Sequence, residues 1–184
     1  MRVAFDTSSF RQLVRYYLPF DTGQRLHRFI QERVEAKEIL VIEEVFLECK
    51  SVAHGAVIKA LPYLGEPKNR VKTNELLPSK RLFNRIENDF AITVLKNKLT
   101  EAEFERVKQD YIASADLKLI LLALREQEGI DGTIAIVTEE TATSNDGKPF
   151  KKIPAICELH GIGIRCIDLP TYLREADGIG FRVT

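Results

Sequence analysis

An α/β fold built on a mainly parallel sheet is what this sequence predicts, and three observations predict it. Short apolar runs of strand length stand at residues 2–6, 39–42, 133–138 and 164–167. Segments with helical periodicity alternate with them, the pattern of a parallel sheet rather than of separate strand and helix blocks. One of those segments, Leu117 to Leu124, is apolar at every position except Lys118, so its helix must be buried, against a sheet face.

Each element follows from local signals. The chain opens with a strand at 2–6 and a helix from about Ser9 to Tyr17, which Pro19 terminates because proline cannot continue a helix. Leu26, Phe29, Ile30 and Val34 recur at helical spacing and predict a helix from about Gly23 to Ala36. Ile39-Leu40-Val41-Ile42 is a short buried strand, and a third helix is expected from about Glu44 to Ala60. The stretch from Leu61 to Pro78 holds three prolines and scattered charge and reads as loop. Ser79 to Asp110 reads as two helices parted near Thr100, which forms a capping box with Glu103. Periodicity leaves a strand open over Phe90–Leu95. Then come a helix from Ser114 to Glu128, the strand 133–138 and a polar loop from Thr141 to Pro149. A helix near Ile153–His160, a strand at Ile164–Ile167 and a last helix from Pro170 complete the chain. No internal repeat or low-complexity tract interrupts this order.

With 184 residues, 45% apolar and 29% charged, the chain suits a single domain, 1–184, with room for a helical insertion at 61–112. The formal net charge is zero, so no global basic field attracts nucleic acid, and an anionic substrate must be held by a local patch or by metal. Cys49, Cys157 and Cys166 lack a Cys-x-x-Cys pair and read as reduced core residues. His27, His54 and His160 show no ligand spacing. Without a signal peptide or a long apolar run, no membrane association is expected and the localisation expected is cytoplasmic.

Four acids carry the functional reading. Asp6 ends the first strand, and in open α/β sheets ligands bind outside the carboxyl edge. Its plainer role is that of a helix cap. Glu140 follows the strand 133–138 and by itself is an ordinary loop acid. Asp116 opens the apolar helix, where a favourable dipole contact worth about 0.3–1 kcal/mol explains it equally well. On the third helix, Glu48 lies roughly 100° from the centre of the apolar face and Glu44 roughly 140°, so Glu48 borders that face and Glu44 points to water. Together the four suggest a site for a hard divalent cation, since clustered carboxylates raise one another's pKa values without one.

The tail Lys152-Ile153-Pro154-Ala155-Ile156-Cys157-Glu158-Leu159, leading to Cys166-Ile167-Asp168, resembles a bacterial PIN-like subgroup, and four further fragments resemble, in their order and context, the PIN-domain nuclease family. They are Val3-Ala4-Phe5-Asp6-Thr7-Ser8, Ile42-Glu43-Glu44-Val45-Phe46-Leu47-Glu48, Ser114-Ala115-Asp116-Leu117-Lys118-Leu119-Ile120 and Ile136-Val137-Thr138-Glu139-Glu140. The resemblance covers about residues 1–60 and 112–176. It implies a three-layer α/β/α sandwich and Mg²⁺- or Mn²⁺-dependent cleavage of RNA. Asp6, Glu48, Asp116 and Glu140 would take the acidic, metal-binding roles, with Ser8 and Thr138 as hydrogen-bonding neighbours. One departure stands out: the family's last acid is usually Asp, and here it is Glu140. Many relatives are the toxin half of toxin–antitoxin pairs, so an antitoxin partner is open, as is a homodimer.

Lys148, Lys151 and Lys152 follow the last acid and are expected to bind RNA phosphates, with Phe150 available for base stacking. A solvated loop is the plainer account. A phosphoacceptor receiver would need an acidic pair at the first strand, and a haloacid-dehalogenase-like phosphatase would need Asp-x-Asp; Asp6-Thr7-Ser8 supplies neither. The alternative from another class is a PIN-fold protein with a weakened site that acts through partner or RNA binding, for which metal titration discriminates.

Overall fold

The computed structural model describes residues 2–129, 134–143 and 147–176. Five strands form one sheet in the order β3-β2-β1-β4-β5, and every pairing is parallel. They are β1 (Arg2–Phe5), β2 (Ile39–Ile42), β3 (Arg70–Val71), β4 (Ile134–Val137) and β5 (Arg165–Ile167). Helices cover the sheet in a three-layer α/β/α arrangement. Val3, Ala4, Phe5 and all of β2 and β4 are buried, which is why these strands are continuously apolar instead of alternating.

The order of the strands fixes where a ligand can sit. From β1 the chain moves outward through α1 (Thr7–Gln12) and α2 (Arg25–Glu35) to β2. It continues through α3 (Glu43–Ser51) and α4 (Ala56–Ala60) to the edge strand β3. It then returns through α5 (Lys80–Arg85), α6 (Thr93–Lys96), α7 (Glu101–Ile112) and α8 (Ala115–Gln127) to lay β4 on the other side of β1. After α9 (Ile153–Cys157) and β5, α10 (Leu169–Glu175) ends the described fold. The direction of winding therefore reverses between β1 and β4, and such a switch point opens a crevice at the carboxyl ends of the strands. Phe5 lies beside Val137 across that boundary, so Asp6 and Thr138 emerge together.

Several expectations change. The third helix is not continuous to Ala60: Ala53, His54 and Gly55 take positive φ angles of 49°, 53° and 71°, which separates α3 from α4. The left-handed region suits Gly55 but is uncommon for Ala53 and His54. The first helix passes into a π-helical turn over Leu13–Tyr17, and α5 does likewise over Ile86–Phe90. The segment 61–112, expected as a helical insertion and helical for most of its structured length, also supplies β3, whose Arg70 and Val71 pair with Val41 and Ile42. A two-residue edge strand has too little periodicity to be read from sequence. Phe90–Leu95 is not a strand; there Ala91 makes one isolated antiparallel bridge to Phe150. The capping box at Thr100 and Glu103 is present. Residue 133, part of the expected fourth strand, lies outside the described residues, as do residues 144–146 of the polar loop.

Lys118, the one charged residue in the apolar stretch of α8, is buried. Its Nζ donates to the carbonyls of Leu76 at 2.7 Å and Thr73 at 3.3 Å. Those bonds offset the cost of burying the charge and staple the loop after β3 to α8.

Candidate functional site

Asp6 is built into the switch point from both sides. Its backbone N–H donates to Val137 O at 2.9 Å, continuing the β1–β4 ladder, while its side chain caps α1. Oδ1 accepts from the Thr7 N–H at 2.7 Å; Oδ2 accepts from Ser8 Oγ at 2.6 Å and Thr138 Oγ1 at 2.9 Å. Thus the helix-cap role and the site role fall on one carboxylate, and three donors fix its orientation. Ser8 Oγ also accepts from the Glu139 N–H at 2.9 Å, and Thr138 Oγ1 accepts from the Glu140 N–H at 3.2 Å. The two hydroxyls therefore tie the start of α1 to the turn after β4.

Glu48 reaches the same place from α3. Its residue position is exposed, but Oε2 accepts from Thr7 Oγ1 at 2.5 Å. Loss of solvent around the carboxyl end pushes its pKa up, and Asp6 and Glu140 push it further; the Thr7 hydrogen bond and Lys148 oppose them. Thr7 is a contact the sequence reading missed, because it joins residues 41 positions apart. Its only sequence signal is its place beside Asp6.

Asp116 sits in the first turn of α8, whose Ser114 cap accepts from the Leu117 N–H at 3.3 Å. Burial, reinforced by Asp6, Glu140 and Glu48, raises its pKa from 3.8 to about 7; Lys152 opposes the shift. Each of the other three acids thus acts on Asp116, and the structure brings all four expected residues into one electrostatic neighbourhood. A cleft of about 220 Å³ opens beside Asp116, lined by Tyr111, Ser114 and the 148–152 segment. The Tyr111 hydroxyl is buried there without a partner, and its pKa is raised chiefly by burial and next by Asp116.

Glu140 accepts from Lys152 Nζ at 2.7 Å on Oε1, whereas its Oε2 is buried with no hydrogen-bond partner. Its neighbour Glu139 is used differently: Oε1 accepts from the Leu169 N–H at 2.8 Å at the start of α10. The two consecutive glutamates therefore divide into an acid that caps α10 and an acid paired with Lys152, which lines the cleft.

The donor chemistry suits a hard divalent cation: four carboxylates surround the switch point, one has an orphaned oxygen, and one is driven toward neutrality by burial and then by the other three. As they stand, no three His, Cys, Asp or Glu side chains among the described residues are gathered tightly enough to share an ion.

The basic segment differs from expectation in two respects. Phe150 is not available to a base: it is buried and stacked on Tyr111, with ring centroids 4.1 Å apart and planes 8° from parallel. Lys151 turns away and donates to the Asp89 carbonyl at 2.6 Å. Lys152 is engaged by Glu140, and Lys148 is exposed and acts on Glu48. Glu44 does not point to water; half-buried, it accepts from Thr73 Oγ1 at 2.5 and 2.6 Å, which ties α3 to the segment after β3.

The remaining expectations for cysteine and histidine concern structure. All three cysteines are free thiols, and His27 Nε2 lies 3.0 Å from the Ala60 carbonyl in an edge contact with Tyr63. No helix among the described residues is long and apolar enough to cross a membrane.

The chain belongs to the family described as a domain of unknown function, DUF4411, which matches residues 3–178. No curated protein and no solved structure matches it.

Proposed function

We propose that this protein is a PIN-like, Mg²⁺- or Mn²⁺-dependent ribonuclease that hydrolyses single-stranded RNA at the β1–β4 switch point. The observation that carries the reading is the gathering of acids about the switch point: three donors fix Asp6 beside Thr138, and Asp6, Glu140 and Glu48 all bear on Asp116, whose pKa is raised to about 7 by burial first and by these three next. Asp6, Glu48, Asp116 and Glu140 would hold the cation. Bound there, a divalent cation lowers the pKa of water and stabilises charge on the departing oxygen.

The chain's own residues supply orientation. Thr7 N–H, Ser8 and Thr138 hold Asp6 through both of its oxygens, so its lone pairs keep one direction. Thr7 Oγ1 also holds Glu48, which couples two acids through a single residue. Lys148, exposed beside Glu48, is the expected contact for an RNA phosphate. Whether the RNase serves as a toxin restrained by an antitoxin is a question of partner, and co-purification with the product of an adjacent gene tests it.

The direct test is cleavage of a labelled single-stranded RNA with Mn²⁺, Mg²⁺ or a chelator. We expect metal-dependent cleavage that chelator abolishes. A well-folded protein that binds RNA yet never cleaves it would overturn the enzymatic reading in favour of a binding module.

A further inference from the structure

We infer that the exposed face running from Arg11 through Arg15 and Tyr16 to Phe20 is a track for single-stranded RNA that leads away from the switch point. The guanidinium groups contact phosphates and the two rings stack on bases. This takes RNA as the ligand from the reading above and adds where the strand lies.

The face begins at the site. α1 and the helical turns that follow it run without a break from Thr7 to Phe20, about 20 Å at an ordinary helical rise. Thr7 holds Glu48 and Ser8 holds Asp6, and residues four apart share one side of a helix. Arg11 and Arg15 therefore continue the row that Thr7 begins, while Gln12, Tyr16 and Phe20 continue the row that Ser8 begins. The two rows meet where the guanidinium carbon of Arg15 stands 5.1 Å from the centroid of the Tyr16 ring, a cation–π contact.

The chemistry of the face suits a polyanion with flat bases. Tyr16 is 52% and Phe20 81% exposed, and Arg11 and Arg15 are exposed beside them. Among the described residues neither arginine forms an ion pair. The chain has no net charge, so affinity for a polyanion comes from local cations such as these. Cations that track a backbone beside rings open to stacking are the recurring means of holding a single strand. An uncharged apolar partner would cover the rings but strip water from two unneutralised cations. On the other side of the site, Phe150 and Lys151 are committed to the protein's own packing, whereas both rings here are open.

The test is fluorescence anisotropy of a labelled single-stranded RNA titrated with the full chain over a salt series, with chelator present so that the strand stays intact. Wild type is compared with a pair of Arg11→Gln and Arg15→Gln and with a pair of Tyr16→Ala and Phe20→Ala; all four positions are exposed, so both variants should fold. The arginine pair should flatten the salt dependence by a slope of about 1.4, two phosphate contacts at roughly 0.7 each. The aromatic pair should weaken binding about fivefold or more and leave the slope unchanged. A wild-type slope in the first variant, or wild-type affinity in the second, overturns the inference and leaves the nuclease reading intact. Light scattering on the same proteins covers the rival occupant: an aromatic pair that turns a dimer into a monomer with RNA affinity unchanged gives the face to a second copy of the chain. A wild type that cleaves RNA with Mn²⁺ yet binds none in chelator also overturns the inference alone. One that does neither overturns the reading itself, and the inference with it.

Discussion

Two strands of this sheet are each followed by a pair of glutamates, and the pairs have opposite fates. After β2, Glu43 lies 3.3 Å from Arg70 and Glu44 accepts from Thr73, so both acids are partnered by the segment around β3. Arg70 in turn rests over the Phe46 ring, with 4.1 Å to its centroid. After β4, Glu139 accepts from the Leu169 N–H, but Glu140 keeps one buried oxygen with no partner, among three further carboxylates. A third case is Asp168 after β5. There a hydrogen bond from Thr171 holds the carboxyl below its ordinary value, as expected of a structural helix cap. Position at a strand's carboxyl end therefore does not define the candidate site. What distinguishes the switch point is acid in excess of its partners.

The largest expected effects lie at the switch point. Asp6→Asn should remove most RNA cleavage, since it loses the ligand that three donors orient, and the loss is read as initial rate at saturating Mn²⁺. Asp116→Asn should remove cleavage equally and yet stabilise the metal-free fold. The sign follows from the raised pKa. Folded Asp116 keeps its proton to about pH 7 and the unfolded residue only to about 3.8, so its contribution to stability falls as pH rises between those values. Wild type should accordingly be less stable than Asp116→Asn above pH 7, by on the order of 4 kcal/mol, and the two should converge near pH 4. Differential scanning at a series of pH values checks this. A constant difference across the range would show that burial and the neighbouring acids do not raise the Asp116 pKa.

At the β2–β3 edge the pattern should invert. Glu44→Gln removes the charge that holds Thr73, at a cost of about 0.5–1.5 kcal/mol, and should leave the cleavage rate within experimental error. Glu43→Gln weakens a partly exposed ion pair and should cost about 0–1 kcal/mol, again without a catalytic effect. Chemical denaturation paired with rate measurement separates the two edges. If Glu44→Gln reduced cleavage as much as Asp6→Asn with folding intact, the contrast between the edges would fail.

The smallest expected effect concerns substrate. Lys148→Gln should weaken RNA binding and flatten the salt dependence by a slope of roughly 0.7, the loss of one phosphate contact on a single strand. Lys151→Gln should leave that slope unchanged, because Lys151 is committed to the Asp89 carbonyl. Fluorescence anisotropy over a salt series measures both.

What could be read from sequence was what depends on neighbours along the chain. The apolar runs at 2–6 and 39–42 located the central strands, and the capping signal at Thr100 and the apolar stretch 117–124 placed α7 and α8. Asp6 and Asp116 were legible because a strand end and a helix start are local events. What escaped depends on partners far apart in the chain. The Thr7–Glu48 bond spans 41 positions and the Thr138–Asp6 bond 132, and helix angles alone sent Glu44 to water because β3 was not visible. Phe150 looked like a free ring in a basic loop until Tyr111 and Phe104 from α7 packed onto it. Burial of an aromatic within a polar stretch is a tertiary fact, invisible to composition.

The contrast between the two glutamate pairs is tested most directly by anomalous diffraction from crystals soaked in Mn²⁺. The expected result is an ion contacted by Asp6 and Asp116 at the β1–β4 switch point, with no ion at Glu43 and Glu44. An ion at the Glu43–Glu44 edge, or Asp6 and Asp116 left without one while the crystals are saturated, would contradict it.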